Sequence, residues 1–271
     1  MSQTGKPEEA LTEYRQELAI FQKLADANAA VSEFQRALAW SHNHIAQVLS
    51  QTGKPEETLP ELRQALAIFQ KLADANPANT EFQNSLSLTS LILAAHQAWF
   101  GQAKELAAML EPVRAFAKET KQAKTAQRVA RACSILPSTS KAELDAALAL
   151  AHKGVELDDG HHRKWTLLAL GMAEYRSGHY AAADEALLAA AKAGPNNPWV
   201  PGIAAFYRAM SLSRQGKSDE ARQLALGAAA TMKPLPKDEQ HPLADNATHD
   251  DLILWLAYKE AKALIHFDEQ K

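Results

Sequence analysis

The octapeptide Ser-Gln-Thr-Gly-Lys-Pro-Glu-Glu occurs at Ser2 to Glu9 and again at Ser50 to Glu57, an offset of 50 − 2 = 48 residues. Each copy leads into a segment reading Arg-Gln-x-Leu-Ala-Ile-Phe-Gln-Lys-Leu-Ala-Asp-Ala-Asn. Self-similarity at such a period marks a stacked-repeat architecture, because 48 residues hold two helices and two turns. A single unit of that kind cannot bury its own apolar face, so its neighbours must cover it. Glu33-Phe34-Gln35 likewise returns as Glu81-Phe82-Gln83, and Gly101 follows Gly53 by the same 48 residues, which keeps a third turn in register.

The repeating elements are helices. Val, Ile and Thr are sparse, no segment alternates apolar with polar, and Ala, Leu, Glu, Gln and Lys dominate. From Pro7 to Ala27 the apolar positions Leu11, Tyr14, Leu18, Phe21 and Leu24 recur at spacings of three and four and form one stripe. Pro7 suits a first helical position, where its missing amide hydrogen costs nothing, and Glu8 and Glu9 suit the positive end of the helix dipole. Pro55, Glu56 and Glu57 repeat the device; Pro60, about one turn in, is either tolerated there or bends the helix. Residues 31–50 form the partner helix, with Phe34, Leu38, Ile45 and Leu49 on its apolar side.

Further helices are expected over 102–119, 123–136, 142–156, 163–177, 181–193, 199–215 and 218–232. Ser138 or Ser140 would cap the third of these. A proline-marked connection then leads to a last helix over 250–267, capped by Asp250. That helix would close the stack, with Leu252, Trp255, Leu256 and Leu264 toward a partner and Lys259, Glu260 and Lys262 toward water.

At Leu170-Gly171, Tyr175, Gly178, Tyr180, Ala183, Leu187, Ala190 and Pro195 the spacing resembles that of the tetratricopeptide repeat. Glu174 departs from it, standing where an aromatic is usual and weakening one packing site. Ala209, Leu212, Gly216, Ala221, Ala225 and Ala228 follow the pattern more loosely, and Ile45, Ala46, Leu49 and Gly53 fit the same register. The resemblance implies an all-α, right-handed superhelical solenoid of antiparallel helix pairs, closed by a C-terminal helix. It divides the chain into two 48-residue units over 1–101, irregular helical repeats over 102–160, two repeats over 161–232, and a connection with a capping helix over 233–271. Nearly the whole chain also resembles the C-terminal repeat region of planctomycete-type bacterial serine/threonine protein kinases. The octapeptide units, Ala169-Leu-Gly-Met-Ala-Glu-Tyr and the run His249-Asp-Asp-Leu-Ile-Leu-Trp carry that likeness.

No kinase chemistry accompanies it. The glycine-rich loop, strand lysine, His-Arg-Asp and Asp-Phe-Gly elements are all missing. Gly53-Lys54 is followed by Pro55 and joins two helices, so it is a turn and not a phosphate loop. His42 and His44 stand two apart on a helix and point in different directions. His161-His162 and His249-Asp250-Asp251 have no further ligand in evident register, so neither a metal nor another cofactor is expected. Cys133, the only cysteine, sits in a helical context that reads as a buried structural thiol. A net charge of −3 carries no footprint for nucleic acid or an anionic membrane. No apolar run reaches the roughly 20 residues of a membrane span. The polar, acidic N-terminus lacks the pattern of a signal peptide, and a cytoplasmic location is the expectation.

What remains is a binding face. In tetratricopeptide proteins the first helix of each repeat lines a concave groove, and that register implies Trp165, Leu168, Met172, Tyr175 and Arg176 there. The following unit adds Ile203, Phe206, Met210, Ser213 and Arg214. Apolar anchors with two arginines suit a segment carrying apolar side chains and an acid; the polar clamp for a chaperone-tail carboxylate is not present. The alternative is that these aromatics fill the space between repeats or lie under the final helix. The expected function is a non-catalytic protein-interaction scaffold with a protein or peptide partner. A structural or self-associating region of a kinase-like protein is the second reading, and a metal-dependent hydrolase built on His161, His162 or His249 the third. The first octapeptide copy begins halfway through a unit, as if cut from a longer chain. Tyr14, Leu18 and Phe21 would then either seek a partner chain or be covered only by the next helix.

Overall fold

The computed structural model describes residues 7–52, 54–244 and 246–267. The expected turns at Gly5 and Gly53 lie outside the described residues. Twelve α-helices are described: α1 (Pro7–Ala27), α2 (Ser32–Gln51), α3 (Pro55–Ala75), α4 (Thr80–Trp99), α5 (Ala103–Ala117), α6 (Ala123–Ser134), α7 (Lys141–Glu156), α8 (Arg163–Arg176), α9 (Tyr180–Ala193), α10 (Val200–Arg214), α11 (Ser218–Thr231) and α12 (His249–Ile265). No strand occurs among the described residues. Each expected helix is present within a few residues of its expected bounds.

Two compact units divide these helices. One gathers the chain up to His96 with Leu235–His249, and the other Gln97–Pro234 with the chain from Asp250 onward. Within each, successive helices pack side by side: α1 on α2 and α2 on α3 in the first, α5 through α11 in the second. In the second unit alternate helices also touch, α6 on α8 and α8 on α10. Short turns force antiparallel neighbours, and contact between alternate members is what stacking helix pairs into an alpha-solenoid requires.

In the first unit α1 lays Ala10 and Leu11 against Ile45, Val48 and Leu49 of α2, with Tyr14 and Leu18 packed alongside. The Tyr14 ring meets His44 at 5.0 Å between centroids. Of the two expectations for this edge, cover by the next helix is the one observed for Tyr14 and Leu18. Glu9, Glu13, Gln16 and Lys23 leave the opposite side exposed and polar, and Ile20, 58% exposed, is its apolar exception. Pro60 lies inside an unbroken α3. Its missing amide would have bonded the carbonyl of Glu56 in the first turn, at the exposed end of the helix, so the loss is small. A polar seam joins α2 to α4: Asn43 donates to Thr89 at 2.9 Å, and Ser50 lies 3.1 Å from His96 Nε2.

In the second unit Gly171 explains how closely α8 and α9 approach. A Cβ there would lie 2.3 Å from Leu187 Cγ and 3.2 Å from the Leu187 amide nitrogen. Glycine is the residue that leaves room for that crossing. Ser140 is the cap of α7, accepting from the Glu143 amide at 3.4 Å, while Ser138 donates to the Glu143 carboxylate at 2.7 Å. Glu174, where an aromatic was expected, is buried against two histidines, 2.6 Å from His179 Nδ1 and 3.3 Å from His152 Nε2. A polar cluster therefore replaces the missing apolar contact.

Candidate functional site

Residues at spacings of three and four line one side of α8 and α10, and the second unit buries them. Leu168 and Met172 on α8, and Ile203, Phe206 and Met210 on α10, are each 0% exposed. Tyr175 is buried with its ring at 88° to that of Tyr207, 5.4 Å between centroids. Trp165 is half-buried beneath the Arg131 guanidinium, whose carbon stands 4.3 Å from the ring centroid.

The chain's own α12 lies against α10. Phe206 meets Tyr258 edge-on at 5.5 Å. A Cβ on Gly202 would lie 2.9 Å from Leu254 Cδ1, so the glycine lets α12 approach α10 closely. Leu252, Ile253, Leu254 and Trp255 are each 1% exposed or less. Four consecutive helical positions point in four directions, about 100° apart, so this helix is enclosed instead of lying on an outer surface. Trp255 meets Trp99 at 5.9 Å and donates its indole N–H to the Lys233 carbonyl at 2.9 Å.

Ion pairs tie both ends of α12 down. At its start, Asp250 accepts from Arg131 of α6 at 3.1 Å, and Asp251 accepts from the Trp199 indole N–H at 3.1 Å. Asp250 was expected to cap this helix; it lies instead in the first turn, buried, as the partner of Arg131. Ten residues on, about 15 Å along the axis, Glu260 grips Arg176 of α8 through both carboxylate oxygens, one at 2.7 Å. Glu260 and Lys259 were expected to face water. Glu260 is held by that pair, and Lys259 Nζ sits 4.0 Å from the centre of the Trp99 ring.

Arg176 is the hub of this region. Besides Glu260 it donates to the Ser134 carbonyl at 3.0 Å, the Ile135 carbonyl at 2.7 Å and the Tyr207 hydroxyl at 3.0 Å. Those two carbonyls belong to the end of α6, which has no further turn to satisfy them, so the guanidinium caps that helix. Tyr207 donates to the Ser134 carbonyl at 3.0 Å. Burial alone would pull the Arg176 pKa down; Tyr207, Glu260 and Tyr175 outweigh it and hold the pKa above its ordinary value. Burial pushes the Tyr207 phenol up. Burial lowers Arg131 while Asp250 opposes the shift. Burial, then neighbouring Arg131, pull half-buried Arg128 down to about 10 against the opposing pull of Asp250.

Of the expected face residues, Trp165, Leu168, Met172, Tyr175, Arg176, Phe206 and Met210 are therefore buried or half-buried inside the second unit. Arg214 is exposed beside Tyr175, so the two arginines are not equivalent. Arg131, Trp199, Tyr207, Asp250, Asp251 and Glu260 were not among the expected face residues. One signal for their role is legible in the chain: Leu252-Ile-Leu-Trp-Leu-Ala-Tyr has no polar side, and such a helix must be enclosed.

These groups hold one another in place. The buried acids are bonded to arginines and an indole, and burial pushes the Cys133 thiol up to about 12. Among the described residues no three His, Cys, Asp or Glu side chains converge to hold a metal ion. Nor is any described helix long and apolar enough to cross a membrane.

No known family model matches the chain, and no curated protein matches it. Among solved structures, the crystal structure of the yeast Tom70 matches over 94% of this chain and 60% of its own, with 15% sequence identity and a TM-score of 0.34. The chain thus spans less than two thirds of that protein's length.

Proposed function

We propose that the chain is a non-catalytic protein-interaction scaffold whose α6, α8 and α10 face holds a helical segment of a partner protein. The observation that carries this reading is the way the face already treats a helix. It meets α12 with fully buried apolar side chains from α10 and with one buried arginine near each end, each bonded to an acid of that helix. Apolar contact supplies the affinity in such an arrangement, and buried ion pairs set the register. A segment with apolar side chains and acids is the ligand expected for Trp165, Leu168, Met172, Tyr175, Arg176, Phe206, Met210 and Arg214.

Photo-crosslinking in the source cell tests this. A photoreactive phenylalanine at position 165, which is half-buried, should form adducts with a second protein as well as internal adducts. The same group at exposed Arg222 of α11 should not capture that protein. Internal adducts alone at position 165, in every growth condition, would remove the face from the account.

A further inference from the structure

α6 carries charge of one sign. Between Lys118 and Arg131 the sequence holds five cations and one acid, Glu119, a local balance of 5 − 1 = 4 positive charges in a chain whose net charge is −3. On α6 itself Lys124, Arg128 and Arg131 stand four and three residues apart, so they share one side of the helix, and no acid stands among them. Helical side chains lean toward the N-terminus, which gathers the three cationic tips toward the start of α6. The helix dipole makes that the end where cations are least favoured. Burial, then Arg128, lowers the Lys124 ammonium, and Arg128 is itself lowered by burial and then by Arg131. The carboxylate that acts on Arg128 and the one that acts on Arg131 are the same, Asp250. Shared in this way against three cations, it leaves 3 − 1 = 2 positive charges.

Hydrogen-bond donors stand over at the same place. Gln122, at the N-cap position of α6, makes no side-chain bond back to the first turn, and that turn contains no acid. The Thr125 hydroxyl in the turn is buried and has no hydrogen-bond partner. Nε of Arg131, on a side chain 4% exposed, has none either. Arg131 bonds Asp250 through Nη1, and Nε lies on the other edge of the guanidinium, the edge that pairs side-on with oxyanions. Trp165 covers one face of that guanidinium, so an anion would approach in its plane. Lys124 and Arg128 are half-buried, and each keeps part of its side chain in solvent.

Donors beside unbalanced positive charge call for an acceptor that is also an anion. A carboxylate would cancel half of the two charges. A phosphate group carries about −1.5 to −2 at pH 7 with three acceptor oxygens, and so matches both the charge and the donors. We infer that the start of α6 binds a phosphate group, held by Lys124, Arg128 and Arg131 together with the first-turn amides of the helix. This goes beyond the partner segment proposed above and does not depend on it.

Isothermal titration calorimetry of the whole chain at pH 7.5 tests the site with three probes. They are inorganic phosphate, acetate, and a short peptide with blocked ends whose one phosphoserine is its only acidic group. Phosphate should bind at least about tenfold more tightly than acetate. Arg128→Gln should weaken phosphate at least about tenfold, whereas Lys192→Gln, at an exposed position of α9, should leave it unchanged. Circular dichroism checks that the helices persist; if Arg128→Gln loses them, Lys124→Gln takes its place with the same expectation. A phosphopeptide bound more tightly than inorganic phosphate assigns the group to a modified protein, and any other order assigns it to the free ion. No binding of either phosphate probe up to about 10 mM, equal binding of phosphate and acetate, or phosphate binding that the α6 variant leaves unchanged would overturn the inference.

Discussion

His96 gives the first unit a calculable acid sensitivity. Its side chain is 3% exposed on α4. Nδ1 faces the Ile92 carbonyl at 2.8 Å, and a carbonyl only accepts, so that nitrogen carries the hydrogen and Nε2 faces the Ser50 hydroxyl at 3.1 Å. Burial lowers the pKa to about 4; the bond to Ile92 opposes the shift and His249 adds to it. The folded value lies below the unfolded one, so the unfolded chain binds the proton first as pH falls. Stability is therefore unaffected above about pH 7, and is lost as pH falls from about 6.5 toward 4. With those two values the loss at pH 5 comes to about 2 kcal/mol. His44, also lowered by burial, changes stability in the same direction. The assay is hydrogen exchange of α2 and α4 amides at pH 7 and pH 5, corrected for intrinsic rates, in the native chain and in His96→Gln. Glutamine can donate to Ile92 and accept from Ser50, and it does not titrate. The native chain should lose about 2 kcal/mol more between the two pH values than the variant does. Equal losses would refute the claim that a neutral, buried His96 governs this response.

Two further outcomes follow from packing. Gly171→Ala places a Cβ 2.3 Å from Leu187 Cγ, and Leu187, itself 0% exposed, has nowhere to retreat. Urea unfolding should show a loss of about 1–3 kcal/mol, and a double-mutant cycle with Leu187→Ala should show less than the sum of the two single losses. Cys133, with its thiol pushed up to about 12, should resist iodoacetamide at pH 8 in the folded chain and react once urea has unfolded it. Cys133 is half-buried and not the fully buried thiol expected, so the raised pKa carries this prediction, and fast alkylation of the folded chain would contradict it.

The helices were legible because local physics sets them. The 48-residue recurrence, the three-and-four spacing of Leu11, Tyr14, Leu18 and Phe21, and the prolines and acids at helix starts all act within a turn or two. Gly171 was legible for the same kind of reason, since a residue without a Cβ in that register implies a close crossing. The site was legible in composition but not in state. Leu168, Met172, Phe206 and Met210 were read as one face, and the lengthwise spacing that suggested it is real. Periodicity reports which side chains share a side of a helix, but it does not say what lies over them.

Sequence alone thus determined that this chain repeats, that it is all-helical, and that α8 and α10 each carry an apolar side with arginines beside it. Only the tertiary structure decided that Arg176 belongs to Glu260 and the end of α6 while Arg214 stays exposed, and that Arg131 answers to Asp250, 250 − 131 = 119 residues further along. The physical reason is range. Helix formation depends on neighbours three and four residues away, whereas the choice of partner for a buried charge depends on which distant segment can supply an anion in a space that has shed its water. The octapeptide that announced the repeats contains no trace of that choice, because it is made by α12, at the far end of the chain.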